Sequence, residues 1–141
     1  MIDKERIVRR LADIEHYSKV LGSIISDSYD SYTKSEIITK AAVERYLQLI
    51  SDLELEVLAL VYKGLDLGIA GGEESLINKF KTLLSKKVIE GFKDRRALRN
   101  MLVHAYFNTY YDKDTFGQAS NRNDIADFVK EVKALIKNIK I

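Results

Sequence analysis

The sequence has no cysteine and no proline, and only seven of its 141 residues are glycine. Without cysteine the chain has no disulfide framework, no thiolate metal site and no thiol nucleophile. Without proline, and with glycine scarce, helical patterns run long and uninterrupted, and few segments are typical of strands. No apolar run approaches the roughly 18 residues of a membrane span, and the first residues lack the basic-then-apolar pattern of a secretory signal. We therefore expect a cytoplasmic protein that does not enter a membrane.

Hydrophobic residues make up 46% of the chain and charged residues 31%, which is a balanced globular composition. The length suits a single domain over residues 1–141 with a sizeable core. The net charge of +2 is too small to predict nucleic-acid binding by itself. The local distribution matters more, because three arginines are concentrated in one predicted helix: Arg95, Arg96 and Arg99.

Apolar residues recur at helical spacing through most of the chain, which predicts an all-α fold: an up-and-down bundle of four to five helices. The second helix carries so broad an apolar surface that we expect burial on two sides, against the bundle and against a second protomer. Thr33 and Glu36 have the spacing of a capping box that would begin this helix. The predicted helices span residues 3–26, 33–65, 73–87, 90–107 and 114–138, the last with a break or kink near Gly117 and residues 120–123.

Residues 95–106 combine arginines, an imidazole and a phenol within an apolar-periodic helix. On an ideal helix of about 100° per residue, one arc faces the core and holds Leu98, Met101, Leu102 and Ala105. Histidine can move a proton near neutral pH, and the charged fork of arginine matches phosphate oxygens. These residue types suit metal-free cleavage of an RNA phosphodiester. The alternative to a catalytic role is that these polar residues form an ordinary solvent-exposed helix face. The polar arc consists of Arg96, Arg99, Asn100, His104 and Tyr106.

The pattern Arg99-Asn100-x-x-x-His104-x-Tyr106 resembles the Arg-x4-His-x-Tyr motif of the HEPN superfamily. It is most similar to the HepT-like toxins that pair with MNT-type nucleotidyltransferase antitoxins. Upstream, Glu44-Arg45 resembles the Glu-Arg motif in the second helix of that family, and the length and helical pattern fit throughout. The resemblance implies a metal-independent endoribonuclease toxin without a cofactor, in which Arg99 and His104 are catalytic. The residues that it implies for supporting the active site or binding RNA are Arg95, Arg96, Asn100, Glu44 and Arg45.

The resemblance also implies two partners besides RNA. On an ideal helix Arg99 and His104 point about 140° apart, so both reach one phosphate only if the helix loosens near His104 or if two copies pool their residues. The usual HEPN arrangement is a two-fold dimer around a shared cleft, which implies a homodimer here. In the family the nucleotidyltransferase antitoxin neutralises the toxin by attaching AMP to the motif tyrosine. That tyrosine corresponds to Tyr106.

Other interpretations of the sequence remain open beside this one. A non-catalytic HEPN module would use the same helices to bind a nucleotidyltransferase, with or without nucleotide, and would cut no RNA. Asp13 and His16 have a spacing that could place two metal ligands on one helix face, but no second carboxylate–histidine pair accompanies them. Tyr29 and Tyr32 lie in a polar connection, where they either stack on exposed bases or anchor the loop to the body.

Overall fold

The computed structural model describes residues 3–67, 71–104 and 111–139. Within these residues the chain forms seven helices and no strand, so the predicted all-α class is confirmed. The number of helices exceeds the four to five predicted, because one short helix lies in a stretch expected to be a loop and the last predicted helix is divided. The helices are α1 (Lys4–Ile24), α2 (Tyr29–Thr33), α3 (Ile37–Gly64), α4 (Glu73–Phe80), α5 (Lys86–Val103), α6 (Asp112–Ser120) and α7 (Asn123–Lys137).

The predicted capping box at the start of the long helix is wrong. Thr33 is the last residue of α2, and its hydroxyl donates to the carbonyl of Asp30 at 2.7 Å. Glu36 is the N-cap of α3 but makes no side-chain capping bond. The threonine hydroxyl can bond a carbonyl one turn back, and here that local bond closes a short helix of its own.

The boundary between the third and fourth predicted helices also differs. The helix α4 ends at Phe80, and residues 86–87 belong instead to α5. Ser85 explains the difference, because its side-chain oxygen accepts a hydrogen bond from the backbone N–H of Val88 and so caps α5. Its hydroxyl also donates to Glu131 at 2.7 Å, which ties the start of α5 to the neighbouring helix α7. The predicted break in the last helix is confirmed, since α6 and α7 are separated at residues 121–122.

The long helix α3 lies at the centre of the fold and packs against α1 and α5, while α7 packs against both of those helices. The stripe of α1 formed by Ile7, Leu11 and Ile14 is fully buried, as its helical spacing predicts. Phe92 and Phe128 join α5 to α7, with nearly parallel rings whose centroids lie 6.2 Å apart. None of the helices described is long and apolar enough to cross a membrane.

Most apolar side chains of α3 face the bundle itself, including Val43, Ile50 and Leu58. At its N-terminal end, however, Ile37 and Ile38 are 60% and 79% exposed. The expected burial of α3 against the bundle is confirmed, because the helix packs against both α1 and α5. Its burial against a second protomer stays a prediction.

Candidate active site

Arg99 and Asn100 of the motif lie on the second half of α5, and His104 lies at its C-terminal end. The helix ends at Val103, and His104 is its C-cap, with φ −101° and ψ 0°. The backbone N–H of His104 bonds the carbonyl of Met101 at 3.2 Å, three residues back and not four. Regular α-helical geometry therefore stops at His104, before the predicted end at residue 107. Tyr106, the predicted site of AMP attachment, lies outside the described residues.

Arg95 is part of the interior. Its side chain is 5% exposed and that of Glu54 on α3 is 0% exposed. The two form a bidentate ion pair, in which Nε and Nη2 of Arg95 each donate to a carboxylate oxygen of Glu54 at 2.7 Å. Such a geometry offsets part of the cost of burying two charges. The expectation that Arg95 faces RNA is therefore corrected: its guanidinium is occupied inside the bundle.

A carboxylate on α3 joins the other two arginines. Nη1 of Arg96 donates to Oδ1 of Asp52 at 2.9 Å, and Nη2 donates to Glu73 of α4 at 2.7 Å. Nε of Arg99 donates to the same Oδ1 of Asp52 at 2.7 Å, and its Nη2 lies 3.3 Å from Oδ2. The Arg96 side chain is only 7% exposed, whereas that of Arg99 is 29% exposed. Of the three arginines, Arg99 is the one that reaches solvent.

Carboxylates from α3 and α4 largely balance the positive charge of the three arginines of α5. Burial lowers the pKa of Arg96, but hydrogen bonds and ion pairs with Glu73 and Asp52 outweigh it and raise that pKa overall. The arginine cluster therefore does not generate the strong local positive field that its sequence suggested. The sequence did not reveal this balance, because the carboxylates that pair with the arginines lie far from them along the chain.

The polar groups that remain open lie at the end of α5. Asn100 is exposed, and its Oδ1 meets Nη1 of Arg99 at a long 3.5 Å. His104 is exposed as well, and its imidazole has no hydrogen-bond partner among the residues described. Met101, expected to face the core, is 37% exposed because it borders a groove of about 520 Å³ between α5 and α6. The open set thus comprises Arg99, Asn100 and His104.

The Glu44-Arg45 pair lies elsewhere on α3. Glu44 is half-buried, and burial, followed by the nearby charge of Asp112, raises the pKa of its carboxyl. Asp112 itself pairs with Lys40 at 2.9 Å. Arg45 is exposed. No hydrogen bond or ion pair between described residues links this pair to Arg99, and its role in supporting the active site stays a prediction.

Tyr32 serves as an anchor for α2, as one of the two interpretations predicted. It is fully buried, and its ring lies 5.8 Å from that of Phe116. Its hydroxyl has no hydrogen-bond partner among the atoms described, and burial raises its pKa. Stacking of Tyr32 on RNA bases is therefore excluded by its position. Tyr29 is 44% exposed and also lies beside Phe116.

The described ranges 3–67, 71–104 and 111–139 contain no group of three or more side chains arranged to hold a metal ion. Asp13 pairs with Arg10 at 3.4 Å, and the ring of His16 packs beside that of Tyr17 with centroids 5.7 Å apart. These two residues therefore have local partners on α1.

Sequence reasoning missed Glu54 and Asp52, the two acids that organise the arginines. A signal for Glu54 was present, since it stands four residues after Ile50 and four before Leu58 in the buried stripe of α3. A carboxylate at such a position needs a buried cation as its partner. No comparable signal marks Asp52, because it is partly exposed and its spacing is that of an ordinary surface residue.

Comparison with known protein families finds a match over most of the chain. A family model described as Ribonuclease HepT-like matches residues 14–134, which include all of α3 and α5. No curated protein sequence matches the chain.

Several solved structures share the fold. A tyrosine-to-alanine mutant of the toxin–antitoxin MntA-HpeT is 18% identical with a TM-score of 0.78, and the match covers 91% of this chain and 97% of that chain. A toxin–antitoxin with AMP-PNP is 19% identical with a TM-score of 0.79, covering 95% and 99%. The cytosolic protein of unknown function YutE from Bacillus subtilis is 16% identical with a TM-score of 0.78, covering 96% and 92%. With the family model matching most of its length, the chain belongs to the HepT-like ribonuclease family.

Proposed function

We propose that this protein is a metal-independent endoribonuclease toxin that cleaves RNA with Arg99 and His104. One observation carries the proposal. Of the three arginines, Arg99 has the most exposed side chain, at 29%, and it lies about one and a half helical turns before the exposed His104. A permanently charged guanidinium and a titratable imidazole are thus both accessible to solvent near the C-terminal end of α5.

The proposed chemistry divides the work between these side chains. The imidazole of His104 exchanges a proton with the 2′-hydroxyl of RNA or with the leaving oxygen. The guanidinium of Arg99 neutralises the charge that develops on the phosphoryl group. Asn100 offers an amide donor beside them. Side chains of this protein fill each of these roles, so the proposed reaction requires no metal ion.

The cleavage assay uses RNA in the presence of EDTA, with His104→Ala and Arg99→Ala as test variants. We expect each variant to lose about 100-fold or more in cleavage rate, as removal of a proton-transfer group or a charge-stabilising group generally does. Arg9→Ala is the matched control, because Arg9 is an exposed arginine on α1. If wild type cuts no better than His104→Ala, the ribonuclease proposal is wrong.

We further propose a homodimer in which each active site draws Arg99 and His104 from different copies. Exposed Met101 and Val103, 37% and 46% exposed, flank the site and offer apolar surface to a second copy. Mixing Arg99→Ala with His104→Ala tests this directly. Mixed dimers then hold one intact site and regain activity, whereas sites contained within single copies stay inactive in the mixture.

The partner that we propose is a nucleotidyltransferase antitoxin that attaches AMP to Tyr106. The support is that structural neighbours are described as toxin–antitoxin MntA-HpeT and as a toxin–antitoxin with AMP-PNP. Incubation with the cognate nucleotidyltransferase and ATP is expected to add the mass of AMP to wild type but not to Tyr106→Phe. The control is Tyr29→Phe, because Tyr29 is an exposed tyrosine on α2. AMP addition to Tyr106→Phe would refute the assignment.

One observation favours a second candidate, a non-catalytic helical module that binds a nucleotidyltransferase. The arginines of α5 are paired with carboxylates, and Asp52 occupies one edge of Arg99 itself. Expression in a host cell separates the two candidates. Growth arrest that Arg99→Ala relieves indicates the enzyme, whereas tight partner binding without toxicity indicates the module.

A further inference from the structure

Among the contacts within residues 3–67, 71–104 and 111–139, those of the Arg99 guanidinium are strongest along one edge. Its Nε and Nη2 face the two carboxylate oxygens of Asp52 at 2.7 Å and 3.3 Å. In the described part of the chain its Nη1 contacts Asn100, at 3.5 Å, which is beyond the usual range for a hydrogen bond of this kind. A guanidinium carries five N–H donors in a rigid plane, so its outer edge, Nη1 and Nη2, can still receive two oxygens of a phosphate.

Asp52 is itself held in place. Its Oδ1 accepts from Nη1 of Arg96 at 2.9 Å as well as from Arg99. Arg96 is nearly buried and is fixed from two further directions, by Ser51 at 3.2 Å and Glu73 at 2.7 Å. The carboxylate that grips Arg99 is therefore anchored to the bundle through a buried cation.

We propose that Asp52 is a positioning residue, which holds the Arg99 guanidinium with its outer edge turned toward the phosphate of the RNA. This inference rests on the proposed ribonuclease function. An arginine side chain has many rotamers, and ordering it during the reaction costs conformational entropy. When the ordering is present before RNA binds, the charge of Arg99 stands where negative charge develops.

If Asp52 instead competes with the RNA phosphate for Arg99, the same contact slows the reaction. In that case its carboxylate occupies the donors that RNA needs, and a phosphate must displace it. Removing the charge of Asp52 would then tighten RNA binding and speed cleavage. The two alternatives predict changes of opposite sign in one variant, so one measurement separates them.

The test variant is Asp52→Asn, and the chain offers a closely matched control in Glu56→Gln. Glu56 lies one turn further along α3 and also accepts from two arginines, Arg6 at 2.9 Å and Arg10 at 3.2 Å. Both substitutions remove one negative charge from the same helix. Positioning predicts that Asp52→Asn lowers kcat about 10- to 100-fold with KM changed less than about threefold, since misplacing a reacting group costs rate more than binding. We expect Glu56→Gln to keep kcat within about twofold, because its ion pairs lie at a half-exposed surface.

The conservative variant Asp52→Glu provides a rescue arm. It keeps a carboxylate that can accept from Arg99, so it is expected to retain more kcat than Asp52→Asn. Thermal unfolding followed by circular dichroism confirms that each variant is folded under the assay conditions. If Asp52→Asn cleaves RNA as fast as wild type, or faster, the inference is overturned and the proposed function stays intact.

A second readout does not depend on cleavage. The Nε–H group of Arg99, observed by ¹⁵N NMR of the free protein, is expected to exchange slowly with water while it donates to Asp52. Asp52→Asn should speed that exchange at least several-fold, and Glu56→Gln should leave it unchanged. If the Nε–H of Arg99 exchanges with water at the same rate in Asp52→Asn as in wild type, the inference is overturned. If wild type cleaves no RNA while the signal depends on Asp52, the ribonuclease proposal fails and the positioning contact stands.

Discussion

The ion pair between Arg95 and Glu54 is the most deeply buried polar contact between α3 and α5, with side chains 5% and 0% exposed. Replacing Glu54 by leucine removes the carboxylate and leaves the guanidinium without its partner in a low-dielectric interior. We expect Glu54→Leu to lower the free energy of unfolding by about 3–5 kcal/mol, the usual cost of breaking a buried pair by removing one member. That loss is a large fraction of the about 5–15 kcal/mol by which a domain of this size is stable.

Urea unfolding at pH 7, followed by circular dichroism, measures this loss. With a slope of about 2 kcal/mol per molar urea, the midpoint should fall by about 1.5–2.5 M. Glu56→Gln again serves as the control, because Glu56 holds its arginines at a half-exposed surface and should cost no more than about 1 kcal/mol.

The double variant Glu54→Leu/Arg95→Met tests the physical reason. Replacing both charges with apolar groups removes the desolvation cost together with the attraction, so most of the lost stability should return. If the double variant is less stable than Glu54→Leu, or if Glu54→Leu costs under about 1 kcal/mol, the explanation is wrong. The double variant should also cleave RNA at close to the wild-type rate, because Arg95 is assigned a structural role.

Two further predictions concern the core and the Glu44 cluster. Phe128→Ala should lower the free energy of unfolding by about 3–5 kcal/mol in the same urea assay, because its fully buried ring stacks on Phe92; a loss below about 1 kcal/mol would contradict that packing. The folded state raises the pKa of Glu44 above its ordinary 4.5, first through burial and then through Asp112, so it binds that proton more tightly than the unfolded state does. The contribution of Glu44 is therefore fully present below pH 4.5 and is lost as pH rises through the raised pKa. Accordingly, Glu44→Gln should be more stable relative to wild type at pH 7 than at pH 4.5, and a relative loss at pH 7 would refute the assignment.

The helical class and much of the core could be predicted from the sequence, because both depend on local periodicity. The apolar spacing in α1 places Ile7, Leu11 and Ile14 on one buried face whatever the rest of the chain does. Helix ends were less predictable. The boundary at Ser85 depends on a capping bond that competes with continued helix, and the Thr33 hydroxyl bonds backward where a forward bond was expected.

At the candidate site, too, features that depend on local sequence could be predicted, whereas contacts between distant residues could not. The order of Arg99, Asn100 and His104 along one helix is a local property, and the sequence alone was enough to predict their common element and their proposed chemistry. The role of each arginine was not accessible in that way. The partners of Arg95 and Arg99 stand 41 and 47 residues away, on a helix whose rotation about its own axis is set by packing.

By itself, the sequence determined that this protein is an all-helical domain with a motif of arginine, asparagine and histidine near the end of one helix. Only the tertiary structure decided which arginine stays open. Packing of α3 against α5 places Glu54 inside, where it binds Arg95, and Asp52 at the rim, where it holds Arg96 and one edge of Arg99. The physical reason is that buried charges must be paired, and the pairing depends on how the helices meet in space.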